Sequence, residues 1–350
     1  MPSWVRFFSL GFLVLACDVI DATILVEDGV IDDSNIEEVR DCFSGEFSSA
    51  DKYVDSRMSQ YPQFEGNARF RDQQIDRYEA MRDGAVGVEC MWMKYTVDGY
   101  EVHGFIAAPE GAFETSVEYP TVVVLRGGNA DHGRFRLIRL VNQVFPLVRE
   151  GFVVVGTSYR GAAESRREHH PDRLADEFGG QDLNDVLELL PIIDALPFAN
   201  GRHVGLWGNS RGAMMAYMAA RESDRFSALV AMAGPVDMKK ELEFRPEMEE
   251  HVLSVWIPDF EERREAALRE RSVIHWFEQL SEKTAILILH GTADDRVRPD
   301  GALEFAQRLQ DSGRSYRLVM YEGADHGFHG FGGEVLDEVV RWFSRYLGDE

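Results

Sequence analysis

The chain has 350 residues, 45% of them hydrophobic, and its 61 acidic and 37 basic side chains give a formal net charge of -24. This length and composition are sufficient for one large folded domain and exclude a chain that is disordered over most of its length. A strongly negative chain repels phosphate backbones and anionic membranes. Nucleic acid is therefore excluded as a partner, and cationic substrates are slightly favoured.

At the amino terminus, an apolar run extends from Phe7 to Cys17. The run is shorter than a membrane-spanning helix, which needs about 20 residues, but it has the length of a signal-peptide core. We therefore expect residues 1–22 to be a leader for export, cleaved after Ala22, and no membrane span in the mature chain. Residues 14–17 (VLAC) also resemble a lipoprotein box, in which Cys17 would carry a lipid anchor. If residues 1–22 are not an export leader, we expect a cytoplasmic protein.

Two cysteines, Cys42 and Cys90, remain after removal of the leader. A single disulfide between them suits an oxidising compartment, and two buried free thiols are the alternative. Their spacing is not that of metal ligands. The sequence EHHPD at 168–172 is a loop cluster without further ligands at diagnostic spacing, so we expect no metal site.

The mature chain begins with a polar, acidic segment, residues 23–85. Apolar residues recur at helix-like spacing within 70–81, so we expect a small helical N-terminal segment. From Val86 the sequence becomes rich in β-branched and aromatic residues, and the Asp-Gly pair at 98–99 predicts a tight hairpin between two strands. The domain at 86–350 therefore opens with an antiparallel pair.

Short apolar runs alternate with helical patterns through the rest of the chain. The apolar runs lie at 121–125, 152–156, 203–208, 228–234, 285–291 and 316–323, and the helical patterns at 182–196, 211–221, 299–309 and 334–347. Runs without polar alternation indicate strands buried on both faces, with helices as crossovers. The predicted fold is α/β, a doubly wound and mostly parallel sheet. A charged insert at about 239–271 has apolar residues at helical spacing and is expected to form a helical cap.

The sequence GNSRG, residues 208–212, lies between an apolar run and a helical pattern. A G-x-S-x-G motif between a strand and a helix is the nucleophile elbow, a sharp turn that holds a serine at the carboxyl edge of the sheet. Gly208 and Gly212 fit this turn because the helix returns so close to the strand that no room remains for a Cβ atom. We therefore predict that Ser210 is a nucleophile.

A serine nucleophile needs a general base within hydrogen-bond reach and an acid that orients the base. In α/β-hydrolases, the acid and then the histidine follow later strands of the sheet. Asp294 and His326 stand in this order, each directly after an apolar run. Asp295 and His329 are their competitors, because the loops are short and only geometry separates the neighbours.

Five motifs stand along the chain: YRG at 159–161, FGGQDLND at 178–185, GNSRG at 208–212, HGTADDRV at 290–297 and GADHGF at 323–328. Together they make the segment from about residue 86 onward resemble the catalytic domain of the prolyl oligopeptidase family of serine peptidases, within the α/β-hydrolase superfamily. In that family the first aspartate of HGTADDRV is the triad acid and the histidine of GADHGF is the base. The resemblance therefore supports Asp294 and His326. It implies cleavage of short peptides or acylated amino acids through an acyl-enzyme, without a cofactor.

Two departures from the family pattern concern access and the oxyanion. Fewer than 90 residues precede the hydrolase domain, so we expect no β-propeller that restricts access to peptides. Arg126 stands where the peptidases often have an oxyanion tyrosine. We expect the oxyanion to rest on the backbone N–H groups of Arg211 and Gly127. The Arg126 side chain either assists them or forms a salt bridge with a surface carboxylate.

One structural expectation and two alternative functions accompany these predictions. Arg160 and Asp182 resemble recurrent family positions, and we expect a buried ion pair that braces the sheet edge. Carboxylesterases and sugar-ester deacetylases use the same triad, so the fold alone does not select a peptidase. A non-catalytic hydrolase-fold protein that binds a ligand is the third hypothesis, although such proteins often lose a triad member.

Overall fold

The computed structural model describes residues 35–162 and 175–348. The expected leader and the EHHPD sequence lie outside the described residues. The strands are β1 (Ile36–Asp41), β2 (Val88–Val97), β3 (Tyr100–Pro109), β4 (Tyr119–Leu125), β5 (Val153–Thr157), β6 (Ala199–Asn209), β7 (Phe226–Met232), β8 (Ala285–Gly291) and β9 (Tyr316–Tyr321). They form a nine-stranded sheet in the order β1-β2-β3-β5-β4-β6-β7-β8-β9.

The sheet opens antiparallel and continues parallel. Strands β1, β2 and β3 form an antiparallel meander, and β3 also pairs antiparallel with β5. From β5 onward all neighbours in the sheet are parallel. At the turn between β2 and β3, Asp98 and Gly99 have φ of 52° and 82°, the left-handed backbone that a two-residue hairpin uses. The predicted α/β fold with its antiparallel start is confirmed.

Both faces of the central parallel strands, such as β7 and β8, are buried. On β7, Ala228 and Val230 belong to one hydrophobic core, whereas Leu229 and Ala231 belong to the core on the opposite face. Every position of such a strand favours an apolar residue, which explains the apolar runs without polar alternation.

Helices connect the strands and cover both faces of the sheet. The helices are Ala50–Gln60, Ala68–Asp83, Leu137–Arg139, Phe145–Arg149, Asn184–Leu187, Leu189–Ala195, Arg211–Glu222, Met238–Phe244, Ser254–Trp256, Phe260–Glu270, Pro299–Asp311 and Gly332–Leu347. The insert at 239–271 is thus helical, as expected for a cap. Among the described residues, no helix has both the length and the apolar character needed to cross a membrane.

The N-terminal segment is not purely helical, which corrects the expectation from sequence. The strand β1 pairs with β2, but the register shifts between Ile36 and Glu38. Because of this irregularity the buried residues are Ile36 and Val39, whose spacing does not alternate as in a regular strand. The helix expected at 70–81 is present as Ala68–Asp83.

A disulfide joins Cys42, which directly follows β1, to Cys90 in β2. Both cysteines are buried, and the Cys42 amide donates a hydrogen bond of 2.9 Å to the Cys90 carbonyl. The two residues are separated by 48 positions in the sequence. Of the two alternatives for these cysteines, the structure has the disulfide.

Replacing Cys42 and Cys90 together by alanine should lower the free energy of unfolding. For a loop of this length, the entropy gained by the unfolded chain corresponds to about 4 kcal/mol. Guanidinium chloride unfolding followed by tryptophan fluorescence measures the difference. Reduced wild-type protein is the control and should be destabilised to a similar extent, whereas equal stability of the double variant and the oxidised protein would contradict the prediction.

Candidate active site

Ser210 lies on a sharp turn between β6 and the helix Arg211–Glu222, with φ of 57° and ψ of -125°. A positive φ is strained for a residue other than glycine and is typical of functional turns. A Cβ atom on Gly208 would lie 2.1 Å from the Gly212 carbonyl oxygen, and one on Gly212 would lie 2.1 Å from the Leu125 carbonyl oxygen. Both glycines are therefore required by backbone contact, as the sequence predicts.

Asp294 and His326 form a hydrogen-bonded pair at the same edge of the sheet as Ser210. Asp294 follows β8 and His326 follows β9, and all these strands are parallel to β6. His326 Nδ1 lies 2.9 Å from Asp294 Oδ2 and 3.1 Å from Oδ1. An Nδ1–H that donates to the carboxylate leaves Nε2 as the nitrogen that accepts a proton.

The neighbouring residues Asp295 and His329 have other positions. Asp295 is exposed, whereas the Asp294 side chain is fully buried. The His329 side chain is 85% exposed, and its Nδ1 lies 2.8 Å from Asp325 Oδ2. The geometry therefore favours Asp294 and His326 over both competitors.

The environment of Asp294 keeps its carboxylate ionised. Burial by itself raises the pKa of Asp294, but hydrogen bonds from His290 and His326 outweigh it, together with those from the Val297 and Arg296 amides. The balance holds the pKa of Asp294 well below its usual range. The Asp294 carboxylate is thus charged at neutral pH.

His290 is a partner of Asp294 that the sequence reasoning did not identify. Its side chain is fully buried, and its Nε2 lies 3.2 Å from Asp294 Oδ2 and 3.0 Å from the Val297 carbonyl oxygen. Two acceptors around one nitrogen require that Nε2 carries the proton. Nδ1 is buried without a hydrogen-bond partner among the described residues. The sequence could have indicated it, because His290 is the first residue of the motif HGTADDRV and stands four positions before Asp294.

The loop after β4 passes directly over Ser210. A Cβ atom on Gly127 would lie 3.1 Å from the Ser210 Cβ atom and 3.7 Å from its Oγ. On the other side, Arg211 is the first residue of its helix, so its N–H has no intrahelical acceptor. The amides of Gly127 and Arg211 thus flank the serine, where an oxyanion hole requires donors.

The Arg126 guanidinium does not face this space, which corrects the expectation for its side chain. Arg126 is fully buried, and its Nε donates to the Ser158 carbonyl oxygen at 2.7 Å. Other guanidinium nitrogens donate to the carbonyl oxygens of Ala130 at 2.8 Å and His132 at 3.0 Å. Arg126 therefore holds the loop from beneath, since its donors are used by backbone acceptors. Its nearest carboxylate, Asp176 at 3.9 Å, is also buried.

The Arg211 side chain fixes the same loop from the other side. Its NH1 donates to the Gly128 carbonyl oxygen at 2.8 Å and to Asp176 at 2.9 Å, and its NH2 contacts Asp176 and Asp182. Burial by itself lowers the pKa of Arg211, but Asp176 and Asp182 outweigh it and raise the pKa above its ordinary value. A charged, buried Arg211 therefore connects the turn of Ser210 to the loop after β4.

Arg160 and Asp182 are both buried, but they do not pair with each other. Arg160 contacts Asp185 at 2.7 Å and Asp98 at 2.8 Å, whereas Asp182 contacts Arg211. The expectation of buried ion pairs is confirmed, and the expected pairing is wrong. The motif FGGQDLND supplies both acids, three positions apart, and each faces a different arginine.

A pocket of about 110 Å³ opens beside Ser210. Its lining includes Gly128, Asn129, Phe178, Ser210 and Arg211 from the core domain, Met238, Glu241, Arg245, Met248 and Val252 from the cap, and Arg296 and Val297 from the loop of the acid. The cap therefore borders the serine and is not a remote surface insertion. Within the described ranges, no group of three or more His, Cys, Asp or Glu residues is placed to hold a metal ion.

Replacing His290 by phenylalanine should lower the free energy of unfolding at pH 7 by about 1–3 kcal/mol, because Asp294 loses a buried hydrogen bond. A carboxyl whose folded pKa is depressed stabilises the fold above its unfolded pKa, and this contribution is lost as pH falls through the folded pKa. The difference from wild type should therefore shrink below about pH 4. Urea unfolding across this pH range measures it.

The variant His290→Gln is the control for this prediction, because its amide nitrogen can replace Nε2 as the donor. It should recover most of the lost stability. Equal losses in the Phe and Gln variants, independent of pH, would mean that His290 only fills space.

Several known proteins are similar to this chain. Dipeptidyl-peptidase 5 of Porphyromonas gingivalis is 24% identical over 244 residues, which cover 69% of this chain and 35% of that protein. A puromycin-hydrolyzing peptidase of Mycobacterium tuberculosis superposes with a TM-score of 0.61 at 24% identity, over 74% of this chain and 40% of that one. An acylaminoacyl peptidase of Pyrococcus horikoshii superposes with a TM-score of 0.63 at 19% identity, over 75% and 42% of the two chains.

The matched region spans less than half the length of each of these relatives. The superpositions show that the fold is that of the peptidases' α/β-hydrolase domain. In addition, the model of the prolyl oligopeptidase family matches residues 139–350, which is more than half of the chain and includes Ser210, Asp294 and His326. The chain therefore belongs to the prolyl oligopeptidase family.

Proposed function

We propose that this protein is a serine peptidase that cleaves an amide bond in short peptides or acylated amino acids. The observation that carries the proposal is the strained Ser210 turn at the sheet edge that also holds the buried Asp294 and its partner His326. The names of the similar proteins, a dipeptidyl-peptidase and an acylaminoacyl peptidase, support peptide-like substrates.

The reaction proceeds by two acyl transfers. His326 Nε2 accepts the Ser210 hydroxyl proton as Oγ attacks the substrate carbonyl carbon, and the protonated imidazole then donates this proton to the leaving amine. In the second transfer, a water molecule gives a proton to His326 Nε2 and attacks the carbonyl carbon of the acyl-enzyme. The imidazolium then returns the proton to Ser210 Oγ, and the carboxylic acid product is released. Asp294 holds Nδ1–H toward itself at 2.9 Å, so it keeps the required tautomer and stabilises the imidazolium.

The amides of Arg211 and Gly127 are the proposed donors to the oxyanion. Donors fixed in advance stabilise the tetrahedral intermediate because they need no reorganisation when the charge develops. The contacts of Arg126 and Arg211 with the loop carbonyls and with Asp176 support this role, since they hold the loop close to the serine.

Ser210→Ala should abolish labelling by a fluorophosphonate, because no alkoxide forms at that position. His326→Ala and Asp294→Asn should each lower kcat about 10⁴-fold by removing the base or fixing the wrong tautomer. Gel fluorescence of the labelled protein and hydrolysis of a 4-nitrophenyl ester measure these effects.

The matched controls are Asp295→Asn and His329→Ala, which alter the neighbouring residues of the same types. Both residues are exposed, and we expect rates within about twofold of wild type, since surface substitutions away from a site have small effects. If a control variant lost labelling while the variant of its neighbour, Asp294 or His326, kept it, the control residue would be the acid or the base instead.

N-acylated aminoacyl anilides and simple acyl esters separate a peptidase from an esterase. We expect turnover of both, because an enzyme that cleaves amides also cleaves the more reactive esters. Turnover of esters alone, under conditions where Ser210 is fully labelled, would favour the carboxylesterase or sugar-ester deacetylase alternative.

We also infer that the protein is exported. The disulfide between Cys42 and Cys90 supports this inference, because disulfides persist in oxidising compartments. Mass spectrometry of the chain produced in a Gram-negative host should find a mature protein that begins after Ala22, or a lipid-modified one that begins at Cys17. Recovery of the intact chain from the cytoplasm would contradict export.

A further inference from the structure

Two buried side chains near Asp294 each have one polar atom without a partner. Glu241, on the cap helix Met238–Phe244, is only 4% exposed, and its Oε2 has no hydrogen-bond partner among the described residues. His290 is fully buried, and within the same described part of the chain its Nδ1 has no partner either. A buried polar atom without a hydrogen bond is costly, so each of these atoms requires a partner.

The cap helix holds the Glu241 carboxyl against the start of the helix Pro299–Asp311. The carboxyl faces the Arg298 amide, whose hydrogen bond lowers the pKa of Glu241. A Cβ atom on Gly301 would lie 3.9 Å from Oε1. Arg298 is the N-cap residue of this helix and makes no capping hydrogen bond with its own side chain. Glu241 therefore supplies from the cap an acceptor that the helix start lacks.

Other contacts of the cap lead to the same region, the acid loop (residues 292–298) between β8 and this helix. Arg245 donates to the Arg296 carbonyl oxygen at 3.2 Å. The Arg298 guanidinium lies 5.6 Å from the centre of the Phe244 ring, a distance at which a cation and an aromatic ring attract each other. The cap is thus attached to the loop that carries the catalytic acid.

His290 lies between the Glu241 carboxyl and the acid in this chain of contacts. Its Nε2 donates to Asp294 at 3.2 Å and to the Val297 carbonyl oxygen at 3.0 Å, so its Nδ1 has a free lone pair and is an acceptor. The charge of His290 acts on the pKa of Glu241, since the two buried groups are neighbours. One proton between Oε2 and Nδ1 would give both unpartnered atoms a hydrogen bond.

We propose that Glu241 is a positioning residue that couples the cap to the catalytic acid through His290. One proton is shared between Glu241 Oε2 and His290 Nδ1, directly or through one buried water molecule. This proton holds the ring in the form whose Nε2–H donates to Asp294. The cap carboxyl thus sets the tautomer of His290, as the catalytic acid sets that of His326. The inference rests on the proposed acyl transfer at Ser210 and adds a supporting residue to it.

The charges around Glu241 favour a protonated carboxyl at neutral pH and below. Burial raises its pKa to about 7, although the Arg298 amide and His290 lower it, and the charges of Asp300 and Asp294 raise it. Above this pKa the shared proton is lost. The ionised carboxyl then favours a proton on Nδ1 of His290, and this withdraws the Nε2–H donor from Asp294.

The test measures kcat and KM for a 4-nitrophenyl ester across the neutral and alkaline pH range. Wild-type kcat should fall about 3- to 10-fold as pH rises through the pKa of Glu241, a factor that corresponds to one buried hydrogen bond. Glu241→Gln should match wild type below this pKa and lack the alkaline fall, because its amide donates to Nδ1 at every pH. Glu241→Leu has no donor and should lose about the same factor at every pH, in kcat more than in KM.

Glu243→Gln is the matched control, because Glu243 lies on the same cap helix and is exposed. Its pH profile should coincide with that of wild type. Complete fluorophosphonate labelling of Ser210 in each variant establishes that the site is folded. Should Glu241→Leu fail this criterion, the comparison of wild type with Glu241→Gln decides. Coincident alkaline profiles of these two proteins, or equal losses in the Gln and Leu variants, would overturn the role of Glu241.

The two proposals fail in different ways. If Ser210→Ala keeps the esterase rate, the nucleophile assignment is wrong and the reaction itself must be revised. If Ser210→Ala is inactive but Glu241→Gln has the wild-type pH profile, the reaction stands and only the positioning role of Glu241 is wrong.

Discussion

The close approach of the helix Arg211–Glu222 to the ends of β4 and β6 is the constraint on which the site depends. At Gly208 and Gly212 a single added carbon would lie 2.1 Å from a backbone oxygen. Such contacts leave the turn one conformation, and that conformation places Ser210 at a positive φ. The strain at the serine is therefore held by backbone packing on both sides of it.

Buried charges extend this rigidity to the loop over the serine. Arg126 donates to loop carbonyls and to the Ser158 carbonyl after β5, whereas Arg211 donates to a loop carbonyl and to Asp176. Each arginine therefore couples the loop to a different part of the chain. Removing one partner of such a network leaves an uncompensated charge in the interior, which costs far more than the pair contributes. The network thus makes displacement of the loop expensive, and the geometry around the serine is preserved before any substrate arrives.

The features that the sequence predicts well are those set by local pattern. Central strands buried on both faces are rich in apolar residues, and Ser210 and Asp294 follow two of them, β6 and β8, whereas His326 follows the edge strand β9. The features that it missed depend on partners distant in the chain. Arg126 was expected to be available because no local pattern shows that its side chain reaches Ser158. His290 lies in β8, and no local pattern shows that its ring contacts Asp294.

The pairing of the buried acids and the strand β1 were missed for related reasons. Asp182 and Asp185 are three residues apart, and only the tertiary fold decides which arginine each one meets. In β1 the irregular register removes the alternation by which a strand is recognised.

The disulfide at the end of β1 has a consequence for how the molecule behaves in a crowded solution. A strand at the rim of a sheet can template pairing with foreign chains, and long β2 would be such a rim if β1 detached. The covalent link at Cys42 keeps β1 seated along β2, where Lys94 also pairs with Glu38 at 3.1 Å. The disulfide thus helps to keep the edge of β2 covered, at the end of the sheet opposite to the strands that precede Asp294 and His326.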